Sequence, residues 1–270
     1  MHVQVKYGLY DGDKFLEEIQ DKMRVRDQFP KDVPFTVMSE RILEEKYEPM
    51  YTNVYYKGAL IAMCLDLQLL KSSDGKYDLQ NLMRDLANKY GPEKSFEDDK
   101  LFDEIVAMTY PEVGDFLRTY VAGEEELPLQ EYLKWAGIDY EPERQVETFS
   151  LGQIGLNVNE DREIFVTTTA SMNDFGKAMG YEEGDVLKSI NGEEISLATI
   201  ERVLGSYGEG MEEGDKVKVE VYREVKGKRK RLKLKAKSVK TTRTERHFLK
   251  FNENPSEDQQ YLRDSWLNAN

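Results

Sequence analysis

The sequence predicts an α + β chain of more than one domain, an all-α helical bundle followed by a β-rich domain. Three observations predict it. Residues 51–70, YTNVYYKGALIAMCLDLQLL, are apolar on nearly every side from Val54 onward. That is the pattern of a helix buried among other helices, not of one with a single apolar stripe. Amphipathic segments with short Gly- and Pro-marked breaks surround it, as in a bundle. Near Val146 the apolar residues change from helical spacing to alternation, the period of strands.

Composition narrows the function. The 270 residues suffice for two domains of ordinary size. The formal net charge is −14, from 38 Lys and Arg against 52 Asp and Glu. Phosphate binding needs a basic footprint, so this balance argues against a nucleic-acid partner. Cys64, the single cysteine, sits in the apolar segment and has nothing in the chain to pair with. Lys57 and Asp66 interrupt the longest apolar run, and no membrane span is expected. Residues 1–6, MHVQVK, lead into an ordinary soluble pattern. Any signal peptide would lie upstream, which leaves a cytoplasmic and a periplasmic location both open.

In chain order, Phe15, Leu16, Ile19 and Met23 follow helical spacing, with Asp11 or Asp13 as cap. Pro30 and Pro34 mark 28–36 as a loop, and Ser39 is expected to cap a short helix through Ile42 and Leu43. The central helix takes Thr52 or Asn53 as its cap and stops at Ser72-Ser73-Asp74-Gly75. Along one line of it Tyr55, Gly58, Ala59, Ala62 and Asp66 recur at helical spacing. Three of these are small enough to admit another backbone, while the phenol and the carboxylate need polar partners if buried. Asp78 caps the next helix, Leu79 to Leu86, and Gly91 ends it. Residues 98–110 are helical, with Leu101, Phe102, Ile105 and Val106 on one face. Pro111 opens a helix that ends at Gly123, and Pro128 opens one that ends at Gly137.

The second half alternates. Residues 154–158 and 163–167 read as strands, 173–179 as a helix, and 184–192 as a strand that runs into an Asn-Gly turn. Residues 197–204 are helical, and 217–222 and 231–236 form a hairpin around Lys226-Gly227-Lys228. A polar tail after Val239 leads to a last helix, 257–267. The Ile154-Gly155-Leu156 strand start and the Gly184-Asp185-Val186-Leu187-Lys188-Ser189-Ile190-Asn191-Gly192 segment, with helix and hairpin in this order, resemble a PDZ domain. The resemblance implies a compact β-barrel or sandwich that binds an extended peptide, often a protein C-terminus, between a strand and a helix. Its peptide-binding residues would be Ile154, Gly155 and Leu156 at the strand and Leu197 at the first position of the facing helix. Leucine there offers no hydrogen bond, so an apolar side chain two residues from the peptide end should be favoured over Ser or Thr.

With a PDZ-like second half, Tyr55-Tyr56-Lys57-Gly58-Ala59-Leu60 followed by Leu65-Asp66 is similar to the helix of the glycyl aminopeptidase family. These are zinc metallopeptidases with a PDZ domain behind the catalytic domain; the shorter Y-x-K-G also occurs in the aminopeptidase N group. The resemblance implies removal of N-terminal glycine, sometimes alanine, by a zinc-bound water with a glutamate as base. It assigns Tyr55 as donor to the oxyanion of the tetrahedral intermediate. The chain departs from the family in one respect. The family's zinc site is H-E-x-x-H plus a glutamate from a following helix, and this chain has two histidines, His2 and His247, with no such motif. In the family those ligands precede the part that matches here, and residues 1–7 look like the tail of the segment after the third ligand. The chain therefore resembles a C-terminal portion. Residues 1–143 would be the helical part of the catalytic domain, 144–240 the PDZ domain, and 241–270 a tail whose helix docks back. Zinc would belong to the intact enzyme, no metal ligand is expected in this chain, and the chain alone is expected to be inactive.

Other readings stand beside these. Without the resemblance, Tyr55 is either a packed aromatic or an oxyanion donor. Asp66 is expected to pair with a neighbouring cation or backbone group rather than serve chemistry. Lys57 reads as a helix-surface or ion-pairing residue, and Tyr51 as structural. The run Lys226 to Lys237, KGKRKRLKLKAK, alternates like a strand with one solvated face and lacks the aromatics that stack on bases. The histidines have no ligand spacing. A non-catalytic module, a helical domain joined to a peptide-binding PDZ scaffold, is the alternative function. A serine protease is unsupported, since no Gly-x-Ser-x-Gly occurs.

Overall fold

The computed structural model describes residues 2–91 and 94–268. In chain order the helices of the first half are α1 (His2–Lys6), α2 (Gly12–Arg26), α3 (Phe35–Glu40), α4 (Tyr51–Ser72), α5 (Leu79–Tyr90), α6 (Leu101–Met108), α7 (Pro111–Phe116) and α8 (Leu129–Trp135). Then come β1 (Ile138–Phe149), β2 (Gly155–Val158), β3 (Ile164–Thr168), α9 (Asp174–Met179), β4 (Val186–Ile190), β5 (Glu193–Glu194) and α10 (Ile200–Gly205). The chain ends with β6 (Lys216–Val225), β7 (Lys228–Lys237), β8 (Lys240–Phe251) and α11 (Glu257–Leu267). The architecture is α + β. Two compact units divide it, residues 1–144 with 245–270, and residues 145–244. The chain enters the second unit along β1 and leaves it along β8, and these two strands pair.

In the first unit, α4 is the buried axis. Leu60, Cys64, Leu67, Leu69 and Leu70 are at most 1% exposed and share one core with Phe15 and Ile19 of α2, Leu82 of α5 and Leu133 of α8. Local signals set several ends. Asp11 caps α2, its carboxylate accepting the Lys14 N–H at 2.8 Å. Asp78 and Asn81 form a reciprocal capping box at the start of α5, and Gly91 follows its end.

Two starts differ from expectation. The short helix after Pro34 is α3, Phe35–Glu40, with Ser39 inside it rather than capping a helix through Ile42 and Leu43. Leu43 is 89% exposed, so a helix there would have no core to pack on. Neither Thr52 nor Asn53 caps α4. The helix continues a 3₁₀ turn at Glu48–Met50, and Asn53 is turned inward, its amide nitrogen 3.8 Å from Met38 Sδ.

The second unit is an antiparallel sheet in the order β2-β3-β4-β6-β7, with β5 paired to β4. Its inner face packs Val166, Leu187, Val219 and Val221 against Phe175 and Met179 of α9 and Val203 of α10. Of the barrel or sandwich expected, a closed barrel does not form: β2 and β7 are the sheet's edges among the described residues. β2 is four residues long and β7 is lined with lysines, two ordinary ways to keep an edge from recruiting strands. The buried carboxylate of Asp185 anchors the start of β4. It takes Arg223 Nε and Nη2, each at 2.7 Å, and the Glu182 N–H at 3.0 Å.

Residues 240–251, expected as a polar tail, are strand β8, and β1 begins at Ile138, before the texture changes. The less exposed face of this two-stranded ribbon carries polar residues along its middle, Arg144 and Thr148 on β1 and Glu245 and His247 on β8, so it leaves little apolar alternation to read. α10 starts at Ile200 and not at Leu197. Thr199 Oγ1 accepts the Ser196 N–H at 2.9 Å and donates to the Glu194 carbonyl at 2.7 Å. This side-chain turn competes with the first helical turn.

The hairpin β6–β7 turns at Lys226 and Gly227, both at positive φ (53° and 71°). Lys233, Lys235 and Lys237 face solvent, while Leu232, Leu234 and Ala236 pack on the core, so the basic run is a solvated strand face. Glu220, on β6, is held by Lys218 Nζ at 2.8 Å and Arg231 Nε at 2.8 Å. Those hydrogen bonds pull its carboxyl from 4.5 down to about 2. A depressed folded-state pKa contributes stability above the unfolded value that is lost as pH falls through the folded one. The Glu220 resonance should therefore titrate near pH 2, and the hairpin should loosen between about pH 4.5 and 2. Titration at an ordinary glutamate value in a pH series by NMR would remove this ion-pair cluster as a support of the hairpin.

Candidate functional site

Tyr55 lies in the first turns of α4, where the helix leaves the core. It is 63% exposed, and Tyr51, one turn earlier, is 51% exposed. Their hydroxyls are 3.1 Å apart and their rings meet edge to face at 5.6 Å. With Lys22, Thr52 and Tyr56 they line an open cavity of about 410 Å³. The hydrogen bond with Tyr51 raises the Tyr55 phenol above its ordinary value, so it stays an O–H donor at neutral pH.

The residues after Tyr55 fix the helix that carries it. Lys57 is buried, contrary to its expected place on the surface. Its ammonium donates to the Val33 carbonyl at 2.8 Å, and burial, with Arg26 adding to it, lowers its pKa. Gly58 faces the Phe35 ring, which would lie 3.1 Å from a β-carbon there. Lysine and glycine thus clamp the loop before α3, and α3 itself, onto α4 one turn beyond the phenol. Asp66 sits at the other end of the same line, 0% exposed. Its carboxylate accepts the Leu79 N–H at 2.8 Å and Trp266 Nε1 at 2.9 Å. It joins three helices and does not reach the phenol pair's cavity. Ala59 and Ala62 line a separate cavity of about 360 Å³ with Val3, Leu79, Met83 and Trp266.

His247 has partners that its sequence position did not announce. Its Nε2 is 2.6 Å from Asp27 Oδ2 and its Nδ1 2.7 Å from Tyr140 Oη. Burial pushes Asp27 up, and the hydrogen bonds from His247 and Arg26 outweigh it and hold the carboxyl below its ordinary value. This is a structural link between α2, β1 and β8. The side chain of His2 lies outside the described residues. Among the described residues no three His, Cys, Asp or Glu side chains gather as a metal site. The described side chains do not fit a zinc centre.

In the second unit, Ile154, Gly155 and Leu156 stand at the start of β2, all half-buried. β2 pairs with β3 on one side, and no strand pairs with its other side among the described residues. A β-carbon on Gly155 would lie 2.6 Å from Thr168 Cγ2, and the register slips between Gly155 and Leu156. Leu197 is 40% exposed, in the turn ahead of α10 rather than on it. Glycine at 155 keeps the bulge there possible.

Comparison with known proteins gives a likeness among solved structures. No family model matches the sequence, and no curated protein matches it. Among solved structures, an aminopeptidase N family protein from Idiomarina loihiensis is similar over 97% of this chain and 46% of its own, with TM-score 0.51 and 19% sequence identity. At that identity the likeness is one of fold. The chain spans about half the length of that structure, so it shares the fold of part of an aminopeptidase N family protein.

Proposed function

We propose that this chain is the C-terminal portion of a zinc metallo-aminopeptidase that removes N-terminal glycine or alanine from peptides. Tyr55 would stabilise the oxyanion, and the sheet unit would be a PDZ-like module that binds peptides or braces the enzyme. Tyr55 carries the reading. At the exposed start of a helix buried along most of its length, it holds a protonated hydroxyl in solvent beside a second phenol, with Lys57 and Gly58 anchoring the turn that follows. Such a donor is what a tetrahedral intermediate needs where its negative charge develops. The fold likeness to an aminopeptidase N family protein supports the same reading.

The metal of the intact enzyme would supply the Lewis acid and the activated water. This chain's residues hold and orient. Tyr51 positions the Tyr55 hydroxyl, and the clamp at Lys57 and Gly58 fixes the helix that bears it.

The chain alone should release no glycine from a glycyl-anilide and should bind zinc well below one equivalent by metal analysis, because a catalytic zinc needs three protein ligands. Stoichiometric zinc together with glycine release would show that the ligand set has been misplaced. The free side of β2 favours a second reading, a non-catalytic peptide-binding scaffold. An in-frame H-E-x-x-H with a following glutamate helix ahead of residue 1 separates the two: its presence favours the enzyme, its absence the scaffold.

A further inference from the structure

Residues 216–237, the hairpin β6–β7 with its turn, hold eleven Lys and Arg against two Glu. The hairpin is thus +9 in a chain whose net charge is −14, and the rest of the chain sums to −23. One face of it turns inward: Val217, Val219 and Val221 of β6 and Leu232, Leu234 and Ala236 of β7 belong to the core of the second unit. The charge lies on the other face.

On that outer face the register sets lysine directly opposite lysine at two rungs, Lys216 with Lys237 and Lys218 with Lys235. Like charges in that position destabilise a sheet. Nearer the turn the face is neutralised. Glu220 takes Lys218 Nζ at 2.8 Å and Arg231 Nε at 2.8 Å, with Lys233 Nζ 3.9 Å away, and Glu163 takes Arg229 Nη2 at 2.7 Å. At the far end it is not. Lys216, Lys235 and Lys237 are exposed and, among the described residues, form no ion pair. Asp215, next to Lys216 in the chain, turns its carboxylate to the Glu212 N–H at 2.9 Å instead. The opposed lysines cost the sheet stability and return none, which marks a surface for an anion from outside.

The spacing and the charge balance select the anion. Alternate residues of a strand are about 7 Å apart and adjacent strands about 5 Å, so the four lysines form a small, flat patch. Alternate carboxylates of an extended chain repeat at the same distance of about 7 Å. A membrane or a long nucleic acid would also meet the −23 of the remaining chain, whereas a short segment meets the hairpin alone. The outer face has no aliphatic side chain to enter a bilayer, and its single aromatic, Tyr222, already has the Arg229 guanidinium 4.5 Å from its ring centre. Acidic runs in proteins are commonly unfolded interaction tails.

We propose that the outer face of the β6–β7 hairpin, centred on Lys216, Lys218, Lys235 and Lys237, docks an extended acidic segment of another protein, with Asp or Glu at alternate positions. This surface is independent of the aminopeptidase reading.

The test is fluorescence anisotropy of the full chain with a labelled peptide of alternating Glu and Ser, against the same peptide with Gln for Glu. The Glu peptide should bind at least about tenfold tighter, and its affinity should fall as salt rises from about 50 to about 200 mM. The double variant Lys235→Glu with Lys237→Glu should lose that binding by at least about tenfold. Its thermal midpoint should hold or rise, since each exchange sets a carboxylate opposite a lysine. Lost binding in a fold at least as stable is what a merely structural role does not give. Lys76→Glu with Lys100→Glu, two exposed sites in the first unit, changes the net charge equally and should leave binding within about twofold of the parent. Should the first double variant fail to fold, Lys235→Gln with Lys237→Gln decides in its place. Equal binding of the two peptides, parent-like binding by the hairpin variant, or an equal loss in the Lys76 and Lys100 control overturns the docking face. Tighter retention by phosphatidylserine vesicles or by single-stranded DNA than by the Glu peptide overturns the choice of partner.

Discussion

Replacing Tyr55 by Phe in the proposed intact enzyme is expected to lower kcat by about 10²–10³ and to leave folding nearly unchanged. The two effects separate because of where the residue sits. Its ring meets Tyr51 edge to face, a contact Phe retains, and more than half of the residue is in solvent. The lost hydroxyl reaches only the Tyr51 hydroxyl, which water can satisfy instead. Exposed changes of this kind usually cost about 0.5 kcal/mol or less. An oxyanion donor, by contrast, contributes about 2.7–4 kcal/mol at the transition state and little in the ground state. The loss should therefore fall on kcat and kcat/KM together, with KM little changed. Glycyl-anilide turnover by the Phe variant at the parent rate, with an unchanged melting midpoint, would return Tyr55 to a surface aromatic.

The fold was legible where its signals are local. Asp78 with Gly91 frames α5, and Asn191-Gly192 and Lys226-Gly227 make turns, because capping and left-handed backbone are written in one or two residues. Where the outcome depends on what a residue packs against, sequence fell short. Ser39 looked like a cap, but the apolar pair Phe35 and Met38, with α4 to pack on, placed the helix earlier. Leu197 looked helical until the Thr199 side chain claimed the turn. The less exposed face of β1 and β8 is polar along its middle, at Arg144, Thr148, Glu245 and His247, so the ribbon gave periodicity little to detect.

The candidate site divides the same way. Tyr55 is named by the Y-x-K-G pattern and by nothing in composition, since a tyrosine in an apolar helix is ordinarily core. Its exposure, and the partnership with Tyr51 one turn back, follow from α4 emerging from the bundle at its first turns. The burial of Lys57 had a faint signal in Gly58 beside it, which lets Phe35 of α3 come close.

The largest stability loss is expected at Asp66. Its carboxylate is 0% exposed, yet it is not an isolated charge, for it takes the Leu79 N–H at the start of α5 and the indole N–H of Trp266 on α11. Trp266 is itself 1% exposed and stands edge to face on Phe15 of α2, with ring centres 5.2 Å apart. One side chain of α4 thus fixes the entry of one helix and the seat of another. Asp66→Ala removes an acceptor from two donors held inside the fold, at about 1–3 kcal/mol for each donor left unsatisfied. The total, about 2–6 kcal/mol, is a large part of the roughly 5–15 kcal/mol that holds an ordinary domain. Trp266→Phe keeps most of the packing and removes one donor, so it should cost less. Asp66→Asn, which retains an acceptor oxygen for one of the two, should fall between Ala and the parent. Urea midpoints at constant m-value measure all three. A loss below about 1 kcal/mol for Asp66→Ala would mean that water or a shifted helix replaces the carboxylate at little cost. The order Ala, then Asn, then the parent is what a carboxylate joining three helices requires.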